Sequence, residues 1–408
     1  MLIEFSIAII LGLLAGTLTG LTPGIHINLV AIITISFSTF LLSFTSPLTL
    51  AIFITSMAIT HTFMDFIPSI FLGAPDEDSF LSVLPGHKLL LRGRGYFAIV
   101  FTLYGSLAAL LIIILFTPIF LYLLPNFYPK IQLIMPIILI LVSGFLINSE
   151  KNNKLWALFI FLLAGFLGIA ALNINVKEPL LPLLTGLFGA SNLLISIGQK
   201  TKIPEQRIFP IKSIRLSKNS IQRASIASIL AAPFTAFLPG LGASQAALIG
   251  RSFLNIKDQR EFLFLLGAIN TIVMGLSFIA LYSINRTRTG AAAAISQLIT
   301  NLTLTNLITI ILAIIISGIL SFILTIQIAK FAARNIHKIS YKKLSTIILS
   351  ILFIIILIFS DPTLEGKLIA ILIFITSTSL GIFTISKNIK RMHLMGCLLI
   401  PTILFYLF

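Results

Sequence analysis

The chain has 408 residues, 58% of them hydrophobic and 10% charged, with a net charge of +16 from 28 Lys and Arg against 12 Asp and Glu. A soluble chain carries about 25% charged residues, so this one cannot cover a water-facing surface and its solvent is lipid, with room for about ten to thirteen crossings at roughly 20 residues each. The basic excess lacks the aromatic interleaving of a single-strand nucleic-acid binder, which leaves loop charges that set membrane topology.

In chain order, Met1 to Ile10 holds Glu4 and no Lys or Arg, so the positive start of a secretory signal is missing. Residues 3–44 form an apolar stretch broken by Pro23-Gly24, with Thr22, His26 and Asn28 around the break. Proline removes a backbone donor and clashes with the preceding turn, so the stretch reads as a helical hairpin that dips into the membrane and returns. A span at 48–70 follows, then a short broken segment at 71–87 containing Gly73-Ala74-Pro75-Asp76-Glu77-Asp78-Ser79. Further apolar runs at 96–124, 131–148, 154–172 and 181–198 complete the first half. Residues 199–220 form a basic linker. The second half opens with a hairpin at 221–250 broken by Pro239-Gly240, with Gly242, Ser244 and Gln245 just after the break. A span at 262–284, a broken segment at 285–303 and spans at 304–330, 344–360, 367–386 and 392–408 complete it. Cys397, the single cysteine, has apolar neighbours and reads as an inert buried thiol.

Charge supports this placement. The loops at 71–95, 149–154, 199–223, 251–260, 330–343 and 387–391 hold all Lys and Arg except Lys130, Lys177, Arg286, Arg288 and Lys367. Placing those loops in the cytoplasm satisfies the positive-inside rule. Both termini then lie outside a multi-pass protein of the cell membrane.

The two broken stretches also match each other. Gly12, Gly16 and Gly20 align with Ser228, Ala232 and Ala236, Pro23-Gly24 with Pro239-Gly240, and Asn28 with Ser244. Small residues every four positions let helices approach closely in lipid. The match continues from Ala58-Ile59-Thr60 to Ala268-Ile269-Asn270 and from Gly73-Ala74 to Gly290-Ala291, with Ser79 opposite Ser296. Each half has an odd number of crossings, so the second is inverted. The expected fold is all-α: a polytopic membrane protein of about ten full spans plus re-entrant hairpins, in two inverted-topology repeats, 1–198 and 221–408. Inverted repeats with discontinuous helices meeting near the midplane are the architecture of secondary transporters.

A helix restarting after each Pro-Gly offers N–H groups and a positive dipole end to an anion. The candidate substrate site is therefore Thr22, Pro23, Gly24, His26 and Asn28 with Pro239, Gly240, Gly242, Ser244 and Gln245. The competing reading is that these small residues only let the hairpins pack. Arg286 and Arg288, on the positive-poor face, either attract an anion at the outer mouth or contact lipid phosphates and water. His61 and Asp65 share one helix face and suit a coupling cation, Na+ or H+, unless Asp65 lies at the cytoplasmic end and is solvated. Pro68 marks the end of regular helix there. Asp76-Glu77-Asp78 reads as a solvated loop pairing with Lys88, Arg92 and Arg94 rather than a metal site. The chain has no nucleotide phosphate loop, no His-Glu-x-x-His and no Gly-x-Ser-x-Gly, so an enzyme and a cofactor are not expected.

The Gly-rich first helix with Leu21-Thr22-Pro23-Gly24, its second copy Phe237-Leu238-Pro239-Gly240-Leu241-Gly242, and the Gly-Ala-Pro…Pro-Gly-His block at 73–87 resemble the TctA family, the large membrane subunit of tripartite tricarboxylate transporters. The resemblance implies a cation-coupled carrier of organic anions working with a small membrane subunit and an extracytoplasmic binding protein. Bacterial members usually show a Pro-Gly-Thr-Pro-like segment where this chain has Gly73-Ala74-Pro75-Asp76, and are usually longer, so the chain looks like a compact, divergent, archaeal branch. Two other readings stay open at this stage. One is a translocase for a polyprenyl-phosphate lipid carrier, the other a non-transporting membrane scaffold.

Overall fold

The computed structural model describes residues 2–22, 34–35, 37–73, 83–150, 153–198, 203–238, 241–338 and 340–408. The described residues are helical with no strand. Chain order runs α1 (Leu2–Leu21), a short α2 (Ser38–Leu41), α3 (Pro47–Met64), α4 (Phe66–Phe71), α5 (Val83–Leu91), α6 (Gly95–Leu133), α7 (Met135–Asn148) and α8 (Lys154–Asn173). The first half ends with α9 (Leu180–Leu184), a π-helical turn (Thr185–Ala190) and α10 (Ser191–Gly198). The second half contains α11 (Lys218–Phe237), α12 (Ala243–Phe253), α13 (Gln259–Ile284), α14 (Gly290–Leu298), α15 (Leu304–Asn335), α16 (Tyr341–Phe359), α17 (Leu364–Ser386) and α18 (Gly396–Leu407). Among the described residues eight helical segments are long and apolar enough to cross a membrane, and Met135–Asn148, Leu180–Ile195 and Arg391–Leu407 are shorter apolar helices. This is the expected polytopic all-α fold.

Local signals account for the helix starts. Ser46, Asp258, Thr289, Thr303 and Thr363 each accept a bond from the first-turn backbone of the helix that follows. Two expectations about helix ends need correction. Helical structure does not stop before Pro68 but resumes after a single-residue interruption at Asp65 and runs to Phe71. Likewise α6 does not end near 124; it continues to Leu133 with Pro118, Pro125 and Pro129 inside it. Each proline removes one donor, but away from water the remaining backbone groups can be satisfied only within the helix.

Packing follows the small residues. Gly12, Gly16 and Gly20 of α1 lie against the backbone and side chains of Phe53–Asp65, so the small face of α1 is seated on α3. In the second half α11 packs on α13, and the other contacts pair off across the halves. Helix α6 lies against α13, and its counterpart α15 against α3. Helix α8 lies against α18, and its counterpart α17 against the α9–α10 segment. Helix α7 also meets α18, while α16 meets α10.

The loops repeat this exchange. The Lys390 N–H donates to Glu150 Oε2 at 3.1 Å, joining the α7–α8 loop to the loop after α17. At the other end of the bundle the Lys177 N–H donates to Asp361 Oδ2 at 2.9 Å, joining the loop after α8 to the α16–α17 loop. These are the same two loop types with the halves swapped. At the Glu150 end, Lys390 Nζ also reaches the Ser149 carbonyl at 2.8 Å and His393 Nε2 lies 3.3 Å from Glu150 Oε2. The segments around Gly93 and Arg207 meet as well, through an Arg207 N–H to Gly93 carbonyl bond of 2.8 Å. In each case the touching loops belong to one side of the charge tally.

The two largest of five apolar clusters among the described residues mark two bundles. One apolar cluster is built by α3–α6 with α11–α15, and a second by α7–α9 with α17, α18 and the loop before α18. Leu238, Leu241 and Ile249 of the second hairpin belong to the second cluster, whereas Ala243, Ala246 and Ala247 belong to the first. The hairpin is therefore wedged between the bundles.

One of the tightest seams is α6 against α13. Gly105 meets the Phe264 carbonyl and Gly267 meets the Thr102 carbonyl, so each helix contributes one glycine to the other's backbone. A side chain at either position has to push two spans apart. Gly105→Ala and Gly267→Ala are expected to destabilise the detergent-solubilised protein by about 1–3 kcal/mol. Gly144→Ala, whose added carbon meets nothing within 4 Å, serves as the silent control. Thermal unfolding monitored by size-exclusion homogeneity reads the difference.

Candidate functional site

The second hairpin is described on both sides of its break; Pro239 and Gly240 themselves lie outside the described residues. After Leu238, which caps α11 with its N–H bonded to the Phe234 carbonyl at 2.8 Å, the chain re-enters helix at Ala243. Gly250 then lies against the Ala227 carbonyl and Ala231, so α12 folds back along α11. Eleven residues at 1.5 Å each give α12 a length of about 16 Å, too short to cross the hydrocarbon core alone.

Three groups converge on this break. The first is the N-terminus of α12, where Ala243, Ser244 and Gln245 are all fully buried. The second is Gln245, whose Oε1 accepts the Gly242 N–H at 3.0 Å. Its Nε2 is buried at the same helix start with no hydrogen-bond partner among the described residues. The third is Arg288, whose guanidinium donates to the carbonyls of Leu238 at 2.9 Å and Leu241 at 3.3 Å.

Arg288 reaches the break because the chain reverses after α13. Asn285 adopts the left-handed conformation, φ 51° and ψ 40°, which asparagine tolerates better than most residues. Thr289 then comes back alongside α13 and bonds Ser277 at 3.0 Å, the two residues bracketing the turn. Along a helix, the seven residues from Ser277 to Ile284 correspond to about 10 Å, so Thr289 and the start of α14 lie well inside the end of α13. Arg288 is thus drawn inward onto the hairpin rather than left at the mouth. Arg286 takes a different partner and stacks over the Tyr128 ring, with its guanidinium carbon 5.6 Å from the ring centroid.

In the first half, Pro23, Gly24, His26 and Asn28 lie outside the described residues, as do Asp76, Glu77 and Asp78. Thr22 is described and continues α1, its N–H bonded to the Leu18 carbonyl at 3.1 Å.

A second polar centre lies where α1, α3, α13 and α15 meet. His61 Nδ1 is 3.1 Å from the Thr19 hydroxyl. Asn270 Nδ2 donates to Asp65 Oδ2 at 2.9 Å. The Thr62 and Thr271 hydroxyls are 3.2 Å apart, and the Ser321 hydroxyl donates to that of Thr60 at 2.9 Å. Asp65 is only 3% exposed and His61 5%. Asp65 is therefore packed inside the protein and not solvated. The two helices pack so that Asp65 meets the middle of α13 rather than its end.

Several members of this centre escaped sequence inspection. Asn270 stood out only as a repeat match, although an amide inside an apolar span is costly without a partner and marks a polar contact. Thr19, Thr62, Thr271 and Ser321 carry no such signal, because a hydroxyl can always bond the carbonyl one turn back in its own helix.

Comparison with known proteins agrees with this architecture. Residues 7–396 match the family described as the tripartite tricarboxylate transporter TctA family. An uncharacterized protein of Methanocaldococcus jannaschii is 33% identical over 406 residues, covering 98% of both chains. No solved structure matches. A family match over nearly the whole length and a full-length relative lead to one conclusion: the chain belongs to the TctA family of membrane transport components.

Proposed function

We propose that the chain is a secondary-active carrier of a small organic anion, a carboxylate, bound at the break of the second hairpin. The observation that carries this reading is the fully buried Gln245, whose Nε2 lacks a partner among the described residues at a helix start already served by a guanidinium. Burying an unmet amide donor costs about 1–3 kcal/mol. A carboxylate would accept from it and would sit in the positive potential of the α12 N-terminus and Arg288.

The exchange of contacts between halves supports two repeats inserted in opposite senses, 1–198 and 221–408. The wedged position of the hairpin between bundles supports alternating access by movement of one bundle against the other. Pro23-Gly24, His26 and Asn28 would then supply the matching half-site. The family reading adds a small membrane subunit and an extracytoplasmic binding protein as partners, and the basic loops would face the cytoplasm. An enzymatic role has no support in these residues. A polyprenyl-phosphate translocase would need a lipid-accessible path to the anion site. The apolar groove of about 360 Å³ between α7, α8 and α18, lined by Ile140, Ser143, Phe161 and Ile400 among others, includes no residue of the hairpin break.

Two measurements test the reading. Purified protein screened by thermal shift against succinate, citrate and inorganic phosphate is expected to be stabilised by a carboxylate. Gln245→Leu, which keeps the shape and removes the donor, is expected to weaken binding of that carboxylate about 10- to 100-fold, the equivalent of one charge-assisted hydrogen bond. Asn28→Ala is expected to abolish uptake into proteoliposomes while leaving the protein folded. Unchanged binding and uptake in both variants would remove the site.

A further inference from the structure

We propose that Asp65 is a proton-binding site, and that Asn270 passes its protonation state from one half of the molecule to the other. The inference rests on the carrier reading only for its consequence, proton-coupled transport; the binding of the proton stands separately.

The carboxylate is held in place by its own backbone. The Asp65 N–H is bonded to the His61 carbonyl at 3.0 Å, and its carbonyl accepts both the Ser69 N–H at 3.2 Å and the Ser69 hydroxyl at 2.8 Å. It sits at the interruption between α3 and α4. Pro68 has no N–H to offer the Met64 carbonyl one turn earlier, so this turn is weakened by sequence. A carboxylate at this depth is expensive, and repeat symmetry does not demand it. The alignment that pairs Ala58 with Ala268 puts Gly275 opposite Asp65.

The contact from the other half is an amide. A carboxylate only accepts hydrogen bonds, while a protonated carboxyl can also donate one. An asparagine head presents a donor and an acceptor, so Asn270 can bond either form by turning over. It donates to the carboxylate, as seen at 2.9 Å, or accepts from the acid. A lysine or arginine at this place would lock Asp65 in its charged state. The flanking pairs, Thr62 with Thr271 and Thr60 with Ser321, are hydroxyls that can exchange donor and acceptor roles in the same way. The proton adds to Asp65 from one side of the membrane, giving a neutral acid, and leaves to the other side with the carboxylate restored.

Among the described residues, the titratable groups on the elements packed around Asp65 are the following. His61 lies one turn earlier on the same helix and contacts Thr19. Helix α5, against α4, brings His87 and Lys88. Helix α1 carries Glu4 at the end remote from Gly20, the glycine that meets Asp65. Helix α13 carries Arg260 and Glu261 in its first turn and Tyr282 in its last. Helix α15 carries Lys330 and Arg334 beyond Thr325, the residue that contacts Met64. Helix α6 brings Tyr96, Tyr104, Tyr122, Tyr128 and Lys130, and α14 carries none.

The test uses full-length protein. Infrared difference spectra on acidification should show a carboxyl C=O band that is lost in Asp65→Asn and shifted in Asn270→Ala; absence of any such difference overturns proton binding at Asp65. In proteoliposomes with labelled succinate or citrate, wild-type uptake should rise several-fold under an inward proton gradient. Asp65→Asn should lose that rise while still exchanging labelled for unlabelled anion, and Asp65→Glu should restore it in part. A gradient response retained by folded Asp65→Asn overturns the proposal. A wild type that shows the infrared band but moves neither anion refutes the carrier reading and leaves the proton site standing.

Discussion

Lipid gives two apolar helices no hydrophobic reason to meet, because the hydrocarbon around them is as apolar as their side chains. Helix contact must then come from dispersion between closely spaced backbones. In this protein that requirement is met where Gly105 lies on the Phe264 carbonyl and Gly267 on the Thr102 carbonyl. The same device seats α1 on α3 through Gly12, Gly16 and Gly20. The arrangement of the remaining helices, and the depth at which polar groups end up, follow from these seams.

Close approach has a second consequence. Polar side chains carried on the seamed helices are sealed from water and must find each other. Thr19 meets His61, Asn270 meets Asp65, and Ser321 meets Thr60. Three of the contacts, Asp65 with Asn270, Thr62 with Thr271 and Thr60 with Ser321, join residues of the first half to residues of the second. The centre is therefore a property of the interface between halves and exists in neither alone. A movement between halves would change its bonding directly.

The ends of the bundle are tied by a related pair of contacts. Glu150 accepts a backbone N–H from Lys390, and Asp361 accepts one from Lys177. Thr363 adds its own N–H and hydroxyl to Asp361 at 2.8 and 2.6 Å. These bonds, first among them the hydroxyl of Thr363, hold the Asp361 carboxyl below its usual range. His393 packs beside Glu150, its Nε2 3.3 Å from Oε2. The two ties are alike in their acceptor and donor types but differ in their surroundings. One lies among the basic loops and the other at the opposite end of the bundle.

Sequence alone determined the solvent, the class and most of the element boundaries. Composition required lipid, apolar runs located the spans, and α8, for example, begins at Lys154 as expected and ends at Asn173, one residue past the expected 172. The small-residue faces and Pro-Gly breaks were legible too, since both are local requirements of backbone geometry. The candidate site was legible only as residue types near the two breaks, Gly242, Ser244 and Gln245 among them. Tertiary structure decided which distant groups join them. Arg288 reads as an outer-loop cation until the turn at Asn285 carries it inward to Leu238 and Leu241. Asp65 reads as near a helix end until packing sets it against Asn270, in the middle of α13. Periodicity records which face of a helix is apolar; it does not record how far one helix slides along another. That offset is set by the seams between side chains and backbones from separate parts of the chain, and it decides what a buried carboxylate faces.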